Sequence, residues 1–151
     1  MPAPARRRFL SLFASLAAAL LPLRSARAQA DPFAPLVRAL TGGAPVNAGR
    51  VTVDTPVLAD NGHSVPLRLR VDSPMTAADH VRSIALFSEK NPRPVIAKFR
   101  FGANAGRAEL ATRVRLNGTQ RLLAVAQLSD GSYWSGEIAV VVTESACLDE
   151  S

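Results

Sequence analysis

Between Gly49 and Thr143, apolar and polar residues alternate in short runs, which is the period-two pattern of half-buried β-strands. The runs are Val51–Val57, Val65–Val71, Val81–Glu89, Val95–Phe101, Glu109–Leu116, Arg121–Ser129 and Tyr133–Thr143. Turn signals separate them, and no helix-length pattern interrupts them. The pattern therefore predicts an all-β fold, an immunoglobulin-like antiparallel β-sandwich.

Short turn sequences predict how some of these strands are connected. Asn61-Gly62 and Asp130-Gly131 are both typical of tight hairpins. The prolines within Asn91–Pro94 predict a turn before the fourth run.

A helical pattern precedes the strands over Asp31–Leu40, with Asp31 placed to cap the helix and Pro32 in its first turn. Its apolar face consists of Phe33, Leu36, Val37 and Leu40. We therefore expect an N-terminal helix and linker at residues 31–48 and the sandwich at 49–143. The polar residues 144–151 lack periodicity and predict a flexible C-terminal arm.

Residues 1–30 have the features of a twin-arginine-type signal peptide. Arg6-Arg7 precede an apolar stretch from Phe9 to Leu23, and small residues suit cleavage after Ala28 or Ala30. The apolar stretch is shorter than the roughly 20 residues that span a bilayer, which disfavours the alternative of an uncleaved anchor. We expect a periplasmic protein with no membrane attachment after cleavage.

Cleavage would change the charge balance. The sequence carries 18 basic and 12 acidic residues among 151, but five of the basic and none of the acidic ones lie in the first 30. The remainder is nearly neutral, so the high pI belongs to the signal segment and gives no reason to expect nucleic-acid binding.

Few residues outside the arm suggest chemistry. His63 and His80 lack metal-ligand spacing, so no metal site is predicted, and no catalytic triad or phosphate loop is present. Two interpretations apply to Arg113 and Arg115. They form a solvated strand face, or they form an anion-binding or partner-binding patch that Lys98 and Arg100 join if the two strands are neighbours. Tyr133 and Trp134 must point to opposite faces, one towards the core and the other possibly towards a partner.

Cys147 is the only cysteine, so the protein cannot form an internal disulfide. It lies five residues beyond Val142, so a free arm could carry its sulfur about 17 Å from the sandwich at ~3.4 Å per residue. A tethered thiol of this kind could visit another protein's active site. The alternative is an incidental thiol in a polar tail.

The sequence resembles the SoxY family, the cysteine-bearing subunit of the sulfur-carrier pair of periplasmic thiosulfate oxidation. The resemblance rests on Ala59–Gly62, Val65–Leu67, Lys90–Pro94, Thr112–Leu116 and Ser129–Gly131, in this order and spacing. It implies an immunoglobulin-like sandwich that pairs with a second sandwich, SoxZ. It also implies that Cys147 covalently holds a sulfur species on which sulfur-oxidising enzymes act, with no catalytic residue and no other cofactor in this chain.

The arm departs from the usual family ending, Gly-Gly-Cys-Gly-Gly, and is more similar to a related side family that ends Ala-Ala-Cys-Ile-Glu. Ala146 and Leu148 allow less backbone freedom than glycine beside Cys147. The carboxylates of Asp149 and Glu150 disfavour the thiolate, so we expect a raised thiol pKa. The arm sequence therefore leaves the chemical identity of the cargo undetermined.

Three functions are compatible with the sequence. The first is a non-enzymatic carrier of sulfur compounds on Cys147, and the second is an interaction module in which Cys147 forms a regulatory mixed disulfide. The third, an enzyme with Cys147 as nucleophile, is disfavoured because the sequence places no base near it.

Overall fold

The computed structural model describes residues 30–145, so the predicted signal segment and Cys147 lie outside the described residues. One helix and nine strands follow one another along the chain. They are α1 (Ala34–Thr41), β1 (Val46–Ala48), β2 (Val51–Asp54), β3 (Leu58–Asn61), β4 (Val65–Val71), β5 (Val81–Ser88), β6 (Val95–Arg100), β7 (Glu109–Val114), β8 (Gln120–Leu128) and β9 (Tyr133–Glu144).

The strands form two sheets that pack face to face. The larger sheet has the order β1-β9-β8-β5-β6, with β3 also paired to β9, and the smaller one has the order β2-β4-β7. This confirms the all-β sandwich predicted from the period-two pattern. Alternate residues of each strand fill the space between the sheets, as in β4, where Val65, Leu67, Leu69 and Val71 are buried.

Gly136 in β9 allows the two sheets to approach closely. A Cβ atom at this position would collide with the backbone carbonyl of Val51 in β2, which belongs to the opposite sheet. Only a residue without a side chain leaves room for this contact.

Two short strands, β1 and β3, were missed by the sequence pattern, and β3 overlaps the segment predicted as a turn at Asn61-Gly62. Both β1 and β3 run parallel to β9 along the same edge, with Val46 opposite Tyr133 and Leu58 opposite Val141. Strand β1 lies within the segment expected to be a helix and linker. The remaining strand pairs are antiparallel, as predicted.

The tight turn predicted at Asn61-Gly62 is wrong, although the two runs on either side of it do pair antiparallel, as β2 and β4. The hairpin predicted at Asp130-Gly131 is confirmed. Strand β3 pairs with β9 and β4 pairs with β2 and β7, so the chain at Asn61-Gly62 crosses from one sheet to the other. Gly131 has φ of 85° in the loop between the antiparallel strands β8 and β9, as such a loop requires.

Helix α1 begins later than predicted, at Ala34 after Phe33. Asp31 therefore does not cap it directly; its carboxylate accepts a hydrogen bond from the Phe33 N–H at 3.2 Å. The proline in the first turn is Pro35, not Pro32. Gly42, with φ of 66°, ends the helix.

The apolar face of α1 covers the outer side of the larger sheet. Phe33 is buried there with residues of β5 and β8, and the other apolar residues of the helix pack around this cluster. Tyr133 joins the same cluster, while Trp134 packs into the core between the sheets. The two aromatics point to opposite faces, and Tyr133 is half-buried against the cluster that α1 packs on, so its position gives no separate evidence for a partner.

Arg121 on β8 attaches the N-terminal segment to the sheet. Its guanidinium pairs with Asp31, Glu89 and Glu137 at 3.3, 3.5 and 3.0 Å and stacks 5.1 Å from the centre of the Phe33 ring. The hydrogen bond from the Arg121 backbone N–H, helped by the guanidinium, holds the pKa of Glu89 below its ordinary value against the opposing effect of burial.

Candidate functional site

The last strand leads directly to the cysteine singled out by the sequence. β9 runs to Glu144, and the described chain ends at Ser145, two residues before Cys147. The residues that surround the end of β9 therefore determine where the arm leaves the sandwich. We call residues 141–145 the arm root.

Strand β3 holds one side of the arm root. Leu58 lies opposite Val141 and Asn61 opposite Glu144 in parallel register. Beyond the strand, the N–H of Gly62 donates to the carbonyl of Glu144 at 2.8 Å. The backbone is thus held to its last strand residue.

The loop before β8 holds the other side. The antiparallel ladder between β8 and β9 ends where Gln120 faces Val140. Two residues beyond Val140, the Thr119 hydroxyl accepts a hydrogen bond from the Val142 N–H at 3.0 Å and donates one to the Val142 carbonyl at 3.3 Å. A side chain thus replaces the missing backbone partner, and Gly118 lies against the side chain of Ser145.

A buried polar network stabilises the loop before β8. The Gln120 side chain, which is 3% exposed, accepts hydrogen bonds from the Ser88 hydroxyl and from the N–H of Lys90. Its amide donates to Asn91 Oδ1 at 3.1 Å and to the carbonyl of Gly118 at 3.2 Å. The network joins the ends of β5 and β8, with Gly118 carrying the support to the arm root.

Asn91 extends the network to the end of β7. Its amide donates to the carbonyl of Arg115 at 2.8 Å, and its Oδ1 accepts from the N–H of Asn117 at 2.9 Å. The turn predicted at Asn91–Pro94 is confirmed, since it joins the antiparallel strands β5 and β6, but its role as a support for the loop before β8 was not predicted. Apart from Gly118, the partners of the Asn91 and Gln120 side chains lie 24 or more positions away, too far along the chain for a local pattern to show them.

The structure shortens the expected reach of the cysteine. The sequence suggested five free residues after Val142, but the strand and its hydrogen bonds continue to Glu144. Cys147 is two positions after Ser145, which limits the distance between their Cα atoms to about 7 Å. Any group that reacts with the sulfur must therefore come close to the arm root.

The basic residues proposed as a patch do not lie together. Arg113 is on β7 of the smaller sheet, whereas Lys98 and Arg100 are on β6 of the larger sheet, so the expected neighbouring strands belong to different sheets. Arg113 donates from Nε to the Ser64 hydroxyl at 2.7 Å. Arg115 is exposed just beyond β7.

The outer face of the smaller sheet carries Arg68 on β4 and Arg113 on β7. An open groove of about 550 Å³ runs across it, with Arg68 and Arg113 among its lining residues. Asp54 also lines this groove, and Arg68 pairs with Glu109 at 3.8 Å. The mixture of charges makes this surface a solvated strand face rather than a concentrated anion site.

The histidines do not form a site together. His63 is exposed beside the Asn61 turn, and His80 precedes β5 with Nδ1 3.0 Å from the carbonyl of Thr76. Within residues 30–145 there is no group of three or more histidine, cysteine or carboxylate side chains placed to hold a metal ion. No helix in that range is long and apolar enough to cross a membrane.

Comparison with known families and structures identifies several similar proteins. The family model described as sulfur oxidation protein SoxY matches residues 37–147, a range that includes Cys147. No protein among those with curated functions matches the sequence.

Among solved structures, the sulfur carrier protein SoxY from Chlorobium limicola f thiosulfatophilum is 24% identical, with a TM-score of 0.64 over 76% of this chain and 99% of that one. Superoxide reductase (neelaredoxin) from Ignicoccus hospitalis is 17% identical, with a TM-score of 0.56 over 62% and 80% of the two chains. Superoxide reductase from Nanoarchaeum equitans is 15% identical, with a TM-score of 0.54 over 64% and 100%. These likenesses are likenesses of fold.

Proposed function

Because the chain belongs to the SoxY family of sulfur oxidation proteins, we propose that it is an exported carrier whose Cys147 covalently holds a sulfur species. A carrier role in sulfur oxidation agrees with both the family and the fold. The covalent cargo, the export and the partners are the finer parts of the proposal.

The observation that carries the proposal is the construction of the arm root. The backbone is held by hydrogen bonds up to Glu144 on the β3 side and up to Val142 on the β8 side. The only cysteine of the sequence follows Glu144 by three residues. The family match also extends to that cysteine. A fixed root with a thiol just beyond it suits a carrier that presents one atom to several partners.

Loading requires a partner enzyme because it is an oxidation. A disulfide-type bond forms between Sγ of Cys147 and the sulfane sulfur of a cargo such as thiosulfate. The thiol loses its proton, and two electrons pass to an acceptor held by the loading enzyme. Unloading by hydrolysis or further oxidation belongs to other enzymes, so this chain supplies the attachment point and no catalytic group.

The proposed setting is the periplasm, reached by the twin-arginine route and followed by cleavage after Ala28 or Ala30. The route carries folded proteins, which suits a carrier that is assembled with a SoxZ-like subunit before export. The pairing with a SoxZ-like subunit is proposed from family membership alone, because Tyr133 packs against the cluster under α1 and gives no separate evidence for an interface.

The test is the intact mass of the mature protein purified without reductant from its native source. We expect persulfide or thiosulfonate adducts on the wild type and none on Cys147→Ser, with an unchanged melting temperature. Ser145→Ala is the matched control, because it alters the arm root and keeps the thiol. Adducts that persist on Cys147→Ser would refute the proposal.

The same measurement discriminates the second candidate function. The acidic residues Asp149 and Glu150 beside Cys147 repel anionic cargo, which favours a protein thiol as the reaction partner. A regulatory interaction module would be isolated as a mixed disulfide with one protein, without small sulfur adducts.

A further inference from the structure

Exposed apolar side chains are concentrated next to the arm root. Residues 30–145 contain four large hydrophobic side chains that are exposed, and three of them are Val57, Leu58 and Val141, at 64%, 59% and 45%. They are adjacent in space, because Leu58 pairs with Val141 and the Val141 N–H donates to the carbonyl of Val57 at 2.7 Å. We call these three residues the β3–β9 patch.

The sandwich does not need the patch for its own stability. On the same two strands, Ala59 and Val142 point inward and are buried at 8% and 7%. The outward positions would ordinarily be polar, since one face of such a strand meets water. Helix α1 covers the outer face of this sheet over β5 and β8, and the β3–β9 patch stays exposed. Scattered exposed hydrophobic residues are ordinary, but a contiguous group indicates a binding surface.

The position of the patch identifies its occupant, given the carrier function proposed above. Val141 is four residues before Ser145 on a strand that is held up to Glu144. Since Cys147 can lie no more than about 7 Å beyond Ser145, a protein whose active site receives the sulfur must also meet the surface around the arm root. We propose that the β3–β9 patch is the surface on which the cargo-processing enzymes dock, through an apolar rim around the entrance to their active site.

The size of the patch favours a transient contact. Three partly exposed side chains supply far less than the ~800 Å² per partner of a standard stable interface. A carrier must leave each enzyme after its cargo has been changed, so a small apolar contact suits the task. A permanent subunit would need a larger surface than this one.

The experiment combines photocrosslinking with disulfide trapping in the native source. Benzoylphenylalanine replaces Leu58 in the full-length protein, and Val95 is the matched control because it is the fourth exposed hydrophobic side chain, at 38%, on the distant edge strand β6. We expect Leu58 to crosslink the proteins that are trapped as mixed disulfides on Cys147. The same crosslinks should form in Cys147→Ser.

The second readout is the Kd of the complex between this protein and one of the trapped enzymes, measured after that enzyme has been purified. Leu58→Ser with Val141→Thr should raise the Kd of the complex about tenfold, equivalent to about 1.4 kcal/mol. Val95→Thr should leave it within about twofold. An unchanged Kd in the double variant, or crosslinks from Leu58 only to a second copy of the chain or a stoichiometric subunit, would overturn the docking proposal while leaving the carrier function intact. If Cys147 carries no adduct and traps no protein, both proposals fail.

Discussion

Replacing Gln120 with alanine should destabilise the sandwich at the arm root. The side chain is almost completely buried and makes four hydrogen bonds, to Ser88, Lys90, Asn91 and Gly118. Alanine removes all four and leaves the O–H of Ser88, a residue that is 1% exposed, without an acceptor; the Ser88 oxygen keeps only the hydrogen bond that it accepts from the N–H of Asn91 at 3.0 Å.

The expected loss of unfolding free energy is about 2–4 kcal/mol. An intramolecular hydrogen bond contributes about 1 kcal/mol net, and a buried polar group left without a partner costs about 1–3 kcal/mol. The lower end of the range allows for water, which can reach the exposed Lys90. A loss of this size is a large fraction of the 5–15 kcal/mol that stabilises a typical domain.

Urea unfolding followed by the fluorescence of Trp134, the only tryptophan, measures this loss. Gln127→Ala is the matched control, because Gln127 lies on the same strand β8 and its amide makes one side-chain hydrogen bond, to the Tyr133 hydroxyl at 3.0 Å. The control should lose about 1 kcal/mol. A loss for Gln120→Ala no greater than that of the control would refute the reasoning.

Hydrogen exchange tests the connection between the network and the arm root. The Val142 N–H donates to the Thr119 hydroxyl. Thr119 lies between Gly118 and Gln120, which are joined by the hydrogen bond from the Gln120 amide to the Gly118 carbonyl. Gln120→Ala should therefore speed exchange at Val142 more than Gln127→Ala does, after correction for global stability. Equal exchange in the two variants would mean that the network does not support the arm root.

Three further predictions concern other parts of the molecule. Glu89→Gln should reduce the loss of stability that acid causes. Because the pKa of Glu89 is lowered in the folded state, its ionised form stabilises the fold above about pH 4.5, and this stabilisation is lost as the pH falls through the lower folded pKa. The urea midpoints at pH 7 and pH 3 should therefore differ less in the variant than in the wild type. Gly136→Ala should cost about 1–3 kcal/mol because the added methyl group collides with the backbone of β2, whereas Gly102→Ala, with open space and no positive φ, is the control; equal melting temperatures would contradict the steric argument. Asp149→Asn with Glu150→Gln should lower the thiol pKa of the arm cysteine and speed its alkylation by a neutral reagent at fixed pH, and an unchanged rate would show that these carboxylates do not tune the thiol.

Local patterns predicted the elements of this fold but not always their partners. The alternation in Val65–Val71 and the Asp130-Gly131 turn were sufficient, because burial of one face and a two-strand hairpin are short-range properties. Asn61-Gly62 carries an equally strong turn signal, yet the chain there changes sheet. A turn sequence specifies a change in chain direction, whereas the pairing of β3 with β9 depends on residues more than 80 positions away.

The same limit applies to the candidate site. Its central residue, Cys147, could be found by counting cysteines and noting that the last residues lack periodicity. The residues that hold the arm root, such as Thr119 and Gln120, gave no such signal, because polar residues near a turn are common in any β-protein. Val57 looked like an ordinary inward position of a strand until the parallel pairing of the next residues placed it outside.

Local sequence patterns were therefore sufficient to predict the all-β class, most of the strand positions and the short helix, and to single out the one cysteine. These properties depend on the polarity of neighbouring residues and on residue counts. The folded structure was needed to show that β3 runs beside β9, that Arg113 and Lys98 lie on different sheets, and that three apolar side chains meet next to the arm root. Those arrangements follow from long-range packing, in which contacts between distant segments are selected by the burial that the whole chain achieves together.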